Sequence, residues 1–405
     1  MESNNIYDHK KIGKNLKLFF FYKNLNTGLP IWLPLGIYIY NRIKKIIKVI
    51  NCRNNYNEVF TPLIGSYNIY NKSGHIKNYL NNIFQILYKK KIYLKPMNCP
   101  YHCLIYKNYN NLSYKLLPIK FFEFGTVFRN EKSGEINGLF RTKMFTQDDG
   151  HIFCKNSIQV IKEINNLINI ILYIYKKFNF KSFFIRLSLR KSNGKNKYIG
   201  KKQYWDKAER ILKEIIKKRK IKYKISYGEA AFYGPKIDFI IKDSYKRNWQ
   251  ISTIQIDYNT PKKFNLTYIN KYNEIKYPIM IHRALIGSLE RFIGILLEHT
   301  KGNLPIWLLK IQIIIIPIFI KNHYLYVKDI YKKLTKKKIR ICIDKTKSNL
   351  NKKIKKYDKL KIPIILIVGD YEIRNKSVYI RHNKQKNNMK LKDAYKYIYK
   401  YIYNN

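Results

Sequence analysis

Between Phe128 and His151 the chain gathers an unusual density of reactive side chains: Phe128-Arg129-Asn130-Glu131, then Arg141-Thr142-Lys143-Met144-Phe145-Thr146-Gln147-Asp148-Asp149-Gly150-His151. Guanidinium forks match phosphate oxygens. Glu131 can accept from an exocyclic amine, and Phe145 can stack on a base. At the other end, Asp-Asp-x-His suits an amine and a borderline metal. The segment therefore describes a nucleotide at one end and a small polar metabolite at the other.

Two dispersed sets extend it. Arg291 adds a third guanidinium on a helix expected over 283–299. Gly287 and Gly294 share a face of that helix, where another backbone could approach or a simple packing groove could form. Cys99, His151 and His282 each end or follow an expected strand. One thiolate and two imidazoles make an open zinc site, with three protein ligands and a vacant position. The residues alone leave this set unresolved. Cys99 with His102, or with Cys103, offers a local alternative, and isolated His and Cys commonly serve packing.

The elements that must position these groups follow from periodicity. Leu35–Ile50, Ser157–Phe178 and Tyr204–Lys218 read as amphipathic helices, the last with a lysine stripe on its outer face. Residues 58–64 read as a strand broken by Pro62, and 91–97 as another. Residues 119–128 and 140–147 form an antiparallel pair across a polar loop whose Ser133-Gly134 and Asn137-Gly138 favour turns. Residues 232–242 and 249–258 form a second pair, and 277–282 a short strand. Antiparallel strands with interspersed helices imply an α+β fold. After Pro305 the pattern changes to strand 311–318, helix 323–337, strand 339–343, helix 350–359 and strand 363–368, closing with helix 391–403. That alternation implies a smaller α/β domain with a largely parallel sheet. The expected division is 1–305 and 306–405.

The chain has 405 residues and 46% hydrophobic content, enough for two domains with large cores. Its five cysteines (52, 99, 103, 154, 342) are an odd number, which argues for a reducing, cytoplasmic setting. The start shows no apolar leader, and the apolar run 311–320 is too short to span a bilayer, so no membrane partner is expected. The formal charge of +56 would attract a polyanion such as nucleic acid. Lys, Ile, Asn and Tyr nevertheless dominate everywhere, even in the 191–202 loop. Drift in an A/T-rich genome explains the charge as well as selection does, so the motifs must decide.

The motifs carry a resemblance to the class II aminoacyl-tRNA synthetases. The hairpin around Arg129 and Arg141 resembles motif 2. Gly287-Ser288-Leu289-Glu290-Arg291-Phe292 resembles motif 3, and Asn57-Glu58-Val59-Phe60-Thr61-Pro62 is similar to motif 1. Within the class the likeness is closest to the threonyl-tRNA synthetases. It rests on Lys95-Pro96-Met97-Asn98-Cys99-Pro100, Phe145-Thr146-Gln147-Asp148-Asp149, Phe232-Tyr233-Gly234-Pro235-Lys236 and Met280-Ile281-His282-Arg283-Ala284. It runs from about Gly28 to the C-terminus.

The resemblance implies an antiparallel-sheet catalytic domain and an anticodon-binding domain. It implies a homodimer, through motif 1, that joins L-threonine to tRNA(Thr) using ATP, with Zn2+ in the amino-acid pocket and Mg2+ on the nucleotide. It assigns Arg129 to the α-phosphate, Arg141 and Arg291 to the γ-phosphate side, Glu131 and Phe145 to adenine, and Lys236 to the charge of the reacting phosphate. It favours Cys99, His151 and His282 as the metal ligands, with Met97, Gln147, Asp149, Tyr233, Gln255 and Ser288 around the substrate. His75 matches a position linked to transfer onto tRNA. Val368-Gly369-Asp370-Tyr371-Glu372 and Val378-Tyr379-Ile380-Arg381 match the anticodon domain, with Glu372 and Arg381 as candidate base readers and the lysines of 352–361 as phosphate contacts.

There are departures. Tyr101, Met144 and Gly150 replace residues usual in the family, as do Ile251-Ser252, Thr346 and Asn351. The resemblance also begins too early to leave room for the N-terminal ubiquitin-like and editing domains of many members. A zinc pocket cannot reject serine, so seryl-tRNA is expected to form and not be cleared in cis. Two rivals would be an inactive synthetase-like RNA-binding protein and a class II enzyme for proline or serine. Retention of Arg129, Arg291 and the Cys/His set argues against both.

Overall fold

The computed structural model describes residues 7–404 except 23, 26, 87–90, 181, 192–197 and 383–384. The start of the chain and half of the basic 191–202 loop thus lie outside the described residues. The chain divides into two compact units. One comprises Phe21–Pro30 and Lys44–Ile295; the other comprises Tyr7–Phe20, Ile31–Ile43 and Leu296–Asn405.

The first unit is built on eight strands: β1 (Asn57–Glu58), β2 (Ile119–Phe128), β3 (Met144–Cys154), β4 (Phe183–Leu189), β5 (Tyr223–Tyr227), β6 (Lys236–Lys242), β7 (Asn248–Asp257) and β8 (Ile279–Ala284). Their order is β5-β4-β6-β7-β8-β3-β2-β1. The central pairs are antiparallel, while β5–β4 and β2–β1 at the margins are parallel. With the helices below, this is the α+β architecture expected.

The helix α1 (Ser157–Lys177) covers strands of this sheet. Val160, Ile164, Leu167, Ile168, Ile171 and Ile174 recur at helical spacing and are buried, and the Asn156 carboxamide caps the N-terminus by accepting from Gln159 N at 3.0 Å. The helix α2 (Lys202–Lys218) buries Trp205, Ala208, Ile211, Leu212, Ile215 and Ile216 and turns its lysines outward.

β2 occupies the residues expected, but the returning strand starts at Met144 rather than Phe140. Asn137 N donates to Arg141 O and Phe140 N to Asn137 O, so the tip closes as a compact turn before the ladder begins. β8 runs to Ala284, and the following helix α3 (Leu289–His299) begins six residues later than Arg283. Between them Leu285 N and Ile286 N donate to the Asp148 carboxylate, which draws the backbone out of helical pairing. Gly287 therefore lies in a loop, at φ +65°, with Ile251 O 2.5 Å from where a Cβ would stand. It shares no helical face with Gly294. The parallel pair β4–β5, joined through α2, and the helix Cys99–Lys107 escaped the periodicity argument.

In the second unit, Ile313–Pro317, Ile341–Ile343 and Ile364–Val368 form a parallel core, with the helices Ile320–Lys336 and Leu350–Lys359 between them. Ser377–His382 and Gln385–Lys390 extend it antiparallel, so the sheet is mixed. Ile313, Ile315, Val327, Ile330, Leu334, Leu366 and Ile398 pack one side of it. Among the described residues no helix is long and apolar enough to cross a membrane.

Candidate active site

Pleat and register alone assemble the floor of the site. Gln147, Asp149 and His151 alternate along β3 and so face the same way. His151 pairs with His282 of β8, and His282 pairs with Gln255 of β7. Across β2, Asp149 pairs with Glu123 and Gln147 with Gly125. A Cβ at Gly125 would come within 2.3 Å of the Asn98 carboxamide. The bare backbone lets Asn98 reach over and donate to Asp149 Oδ2 at 3.0 Å.

One cleft is lined by Arg129, Glu131, Arg141, Phe145, Ser288 and Arg291, with Thr142, Gln250 and Gly287 among its walls. Arg291 is anchored from its Nε to Phe140 O (2.8 Å) and from Nη1 to Gln250 O (3.0 Å). Burial first, and then the nearby Arg129 and Arg141, push its guanidinium down to about 10. Glu131 accepts from Arg141 Nε at 2.9 Å. Arg129 lies over the Phe145 ring, 5.2 Å from its centroid. Three guanidiniums crowded around one open cleft repel one another, which favours a multiply charged anion between them.

A second cleft shares Arg129, Gln147, Thr253 and Ala284 with the first and adds Met97, Cys99, Asp149, His151, Tyr233, Gln255 and His282. Here the ligand atoms of Cys99, His151 and His282 all lie within 4.8 Å of one another, and all three residues are buried. His102 and Cys103, the local alternatives, do not enter this group. His151 Nε2 faces His282 Nδ1 at 3.0 Å, while His282 Nε2 lies 3.0 Å from Asp257 Oδ2. A proton on His282 Nε2, held by Asp257, leaves the Nδ1 lone pair aimed at His151, where a proton or a cation must intervene. Burial holds His151 well below the usual imidazole range and so keeps it neutral. Burial, with Asp149 nearby, pushes the Cys99 thiol well above its usual range. Two imidazoles, a sulfur and a carboxylate behind one ring fit a zinc ion.

The remaining candidates fall around these clefts. Gln255 Nε2 donates to Gly234 O at 3.0 Å, and burial pushes the Tyr233 phenol well up. Burial likewise raises the Asp149 carboxyl, against the pull of His102 and Asn98. Lys236 Nζ donates to Asp238 Oδ2 (2.7 Å) and Gln250 Oε1 (3.3 Å). His75 is not an exposed loop residue. It is buried at the start of the helix His75–Tyr79, with Nδ1 2.7 Å from Ser73 Oγ and Nε2 3.9 Å from Cys99 Sγ. Burial first pushes it down to about 3.

The unusual residues are accommodated. The Tyr101 hydroxyl donates to Ile64 O (2.8 Å) and meets Tyr70 Oη (3.0 Å). Gly150 leaves space for the buried Arg283 guanidinium, which donates to Asp148 at 2.8 Å. Met144 is partly exposed at the strand end, and Ser252 Oγ donates to Leu285 O. Asp257 was missed by sequence reasoning, although its position two residues past Gln255 puts it on the same strand face.

In the second unit a pocket is lined by Arg381, Lys361, His382, Lys386 and Asp358, with Arg381 Nη2 3.4 Å from Asp358 Oδ2. Glu372 uses one oxygen to accept from Gly369 N (2.8 Å) and the other from Asn388 Nδ2 (3.3 Å). Lys352, Lys355, Lys356 and Lys359 are exposed, whereas Lys353 is buried, its Nζ 3.4 Å from Pro317 O.

Comparison with known proteins shows the family. The model of the tRNA synthetase class II core domain (G, H, P, S and T) matches residues 84–300, and that of the anticodon binding domain matches residues 312–401. The threonine–tRNA ligase of Azobacteroides pseudotrichonymphae is 43% identical over 391 residues, covering 96% of this chain and 60% of that protein. The threonine–tRNA ligase of Parabacteroides distasonis is 45% identical over 379 residues, covering 92% and 58%. The chain thus spans about three fifths of the length of these curated relatives. The crystal structure of the RNA binding domain of threonyl-tRNA synthetase from Cryptosporidium parvum matches with a TM-score of 0.86 at 36% identity, covering 96% of this chain and 97% of that one. Fold, motifs and near-complete alignment together place the chain in the threonyl-tRNA synthetase family of the class II aminoacyl-tRNA synthetases.

Proposed function

We propose that the chain activates L-threonine with ATP and transfers it to tRNA(Thr), with residues 1–305 serving catalysis and 306–405 anticodon binding. The observation that carries this reading is the junction of the two clefts. A three-arginine cradle and a Cys/His/His cluster share Arg129, Gln147, Thr253 and Ala284 as common walls. A nucleotide triphosphate in one cleft and an amino acid in the other would meet at that junction.

In the first step the threonine carboxylate attacks the α-phosphorus, a new P–O bond forms, and pyrophosphate leaves. Arg129 is proposed to hold the α-phosphate, and Arg141 and Arg291 the departing end. Lys236 supplies further positive charge near the reacting phosphate. Pre-placed guanidiniums in a partly buried cleft lower the barrier because the charge they stabilise grows in the transition state. Magnesium bound with ATP would add to the same neutralisation. Glu131 and Phe145 are assigned to the adenine, and Met97, Ser288, Tyr233 and Gln255 shape the pocket.

Asp149, held by Asn98, is placed to orient the amine or hydroxyl of threonine. A zinc ion held by Cys99, His151 and His282 would offer threonine's amine and β-hydroxyl a Lewis-acid partner that valine's methyl group cannot use. A plain pocket separates such isosteres only by about 10²-fold. In the second step the ribose hydroxyl at the tRNA 3′ end attacks the acyl carbon and AMP leaves. His75, buried beside Met97 and Cys99, is the residue proposed to assist that transfer.

Arg381 and Glu372 are proposed as anticodon readers, with the exposed lysines of Leu350–Lys359 on phosphates. Glu372 would have to exchange its bonds to Gly369 and Asn388 for a base edge.

ATP–pyrophosphate exchange across an amino-acid panel tests the activity. Threonine should drive it, valine should not, and serine should do so weakly. The 405-residue chain alone should then leave seryl-tRNA unhydrolysed. Exchange driven best by proline, or rapid deacylation of seryl-tRNA, would contradict the respective claims.

A further inference from the structure

His102 is a buried histidine beside the cluster to which this scheme gives no role. It lies one helical turn from Cys99 in Cys99–Lys107 and is fully buried. Its Nδ1 is 2.8 Å from Nδ1 of His151, on the far side of the His151 ring from His282. Its Nε2 faces Glu123 Oε1 at 3.3 Å. Glu123 is fixed in turn, accepting from Thr61 N (3.1 Å) and Thr61 Oγ1 (2.8 Å), with Lys95 Nζ 3.7 Å away. Asp257, His282, His151, His102 and Glu123 thus form one continuous buried row, with a carboxylate at each end.

Hydrogen-bond direction in this row depends on what lies between His151 and His282. A cation there takes the lone pairs of His151 Nε2 and His282 Nδ1. The proton of His151 then sits on Nδ1 and donates to His102 Nδ1. His102 must accept with that nitrogen, so its own proton sits on Nε2 and points at Glu123. Each ring nitrogen then faces a group of the right kind. Without the cation, His151 Nε2 must donate to His282, His102 Nδ1 must donate to His151, and His102 Nε2 is left as an acceptor facing a carboxylate. His102 Nε2 approaches Glu123 Oε1 to 3.3 Å without reaching hydrogen-bond geometry, so it is the end of the row with room to adjust. Partners of this sort commonly contribute 10–100-fold to metal affinity.

We propose that His102, backed by Glu123 and Thr61, is a positioning residue that selects the metal-binding tautomer of His151 and so tunes the affinity of the Cys99/His151/His282 site. The inference rests on the zinc reading of that site. It also links the metal to Thr61 and hence to the Asn57–Pro62 segment.

The test is zinc affinity by competition with a chromophoric chelator, alongside the visible spectrum of the cobalt(II)-substituted protein. The full chain is compared with His102→Phe, His102→Asn and Glu123→Gln. His102→Phe keeps a ring against Phe121 but offers no acceptor. It should weaken zinc about 10–100-fold and shift the cobalt bands. His102→Asn, whose carboxamide oxygen can accept from His151 Nδ1, should restore most of the affinity. Glu123→Gln should give a smaller loss with the thermal midpoint kept. Unchanged zinc affinity and cobalt spectrum in folded His102→Phe would overturn the inference, as would a loss in His102→Asn equal to that in His102→Phe. Should His102→Phe not fold, an unaltered affinity in Glu123→Gln would overturn it. If the unsubstituted chain binds neither metal, the zinc reading itself fails, which is a distinct result.

Discussion

The Arg291 side chain shows how a single residue carries both fold and chemistry. Its guanidinium is held by two carbonyls, so its position is set before any ligand arrives. It is also strained electrostatically by Arg129 and Arg141, a cost that a polyphosphate would relieve. Arg291→Ala should therefore lower ATP–pyrophosphate exchange by about 10²–10³-fold, the scale for losing one pre-placed donor. Arg291→Lys should recover little, because a point charge cannot bond both carbonyls and a phosphate in the same plane. An exchange rate within a few-fold of the unsubstituted chain would remove Arg291 from the phosphate site.

At the scale of elements, the site depends on three neighbouring strands in fixed register. The apolar run Ile119–Phe128 was legible as a strand to the residue, whereas the returning strand, expected to end at Gln147, runs on to Cys154 and so puts Gln147, Asp149 and His151 on one face. What periodicity could not supply was pairing between distant segments. His151 opposite His282, and Glu123 opposite Asp149, follow from sheet order, which no local pattern encodes. The start of α3 was misplaced for a similar reason, since a carboxylate from another strand, Asp148, captures the amides of Leu285 and Ile286. At the edge, β5 was hidden by Lys224 and its exposed tyrosines, a composition without strong alternation, whereas β4 does alternate, with Ile185, Leu187 and Leu189 against Arg186 and Ser188, and was overlooked. Gly125 belongs to this scale as well, because its bare backbone is what lets Asn98 lie across β2. Gly125→Ala should cost about 1–3 kcal/mol as the carboxamide is pushed aside. The Michaelis constant for threonine should rise together with the fall in thermal midpoint. A midpoint and Michaelis constant both unchanged would show that Asn98 does not need that space.

For the whole molecule, the surface says less than the motifs. A charge of +56 is spread over a chain rich in lysine throughout, so it does not by itself locate a tRNA path. The exposed apolar segment around motif 1 is more specific. Phe60 is 84% exposed, next to Leu63 and Ile64, in a stretch tied to Glu123 through Thr61. We propose that a second copy of the chain covers it, since large apolar side chains adjacent on a surface favour association. Sedimentation should report a dimer, and Phe60→Asp should shift it toward monomer. A monomeric unsubstituted chain at micromolar concentration would contradict this.

The central claim is that the Cys/His/His cluster and the arginine cradle form one threonine-activating site. The most direct measurement is the initial rate of threonine-dependent ATP–pyrophosphate exchange for the zinc-loaded chain and for His282→Ala at equal folded fraction. The account predicts robust exchange in the first and a loss of at least about 10²-fold in the second, the scale of removing a pre-placed electrostatic partner. Equal rates in the two, or no exchange with threonine in the zinc-loaded chain, would contradict it.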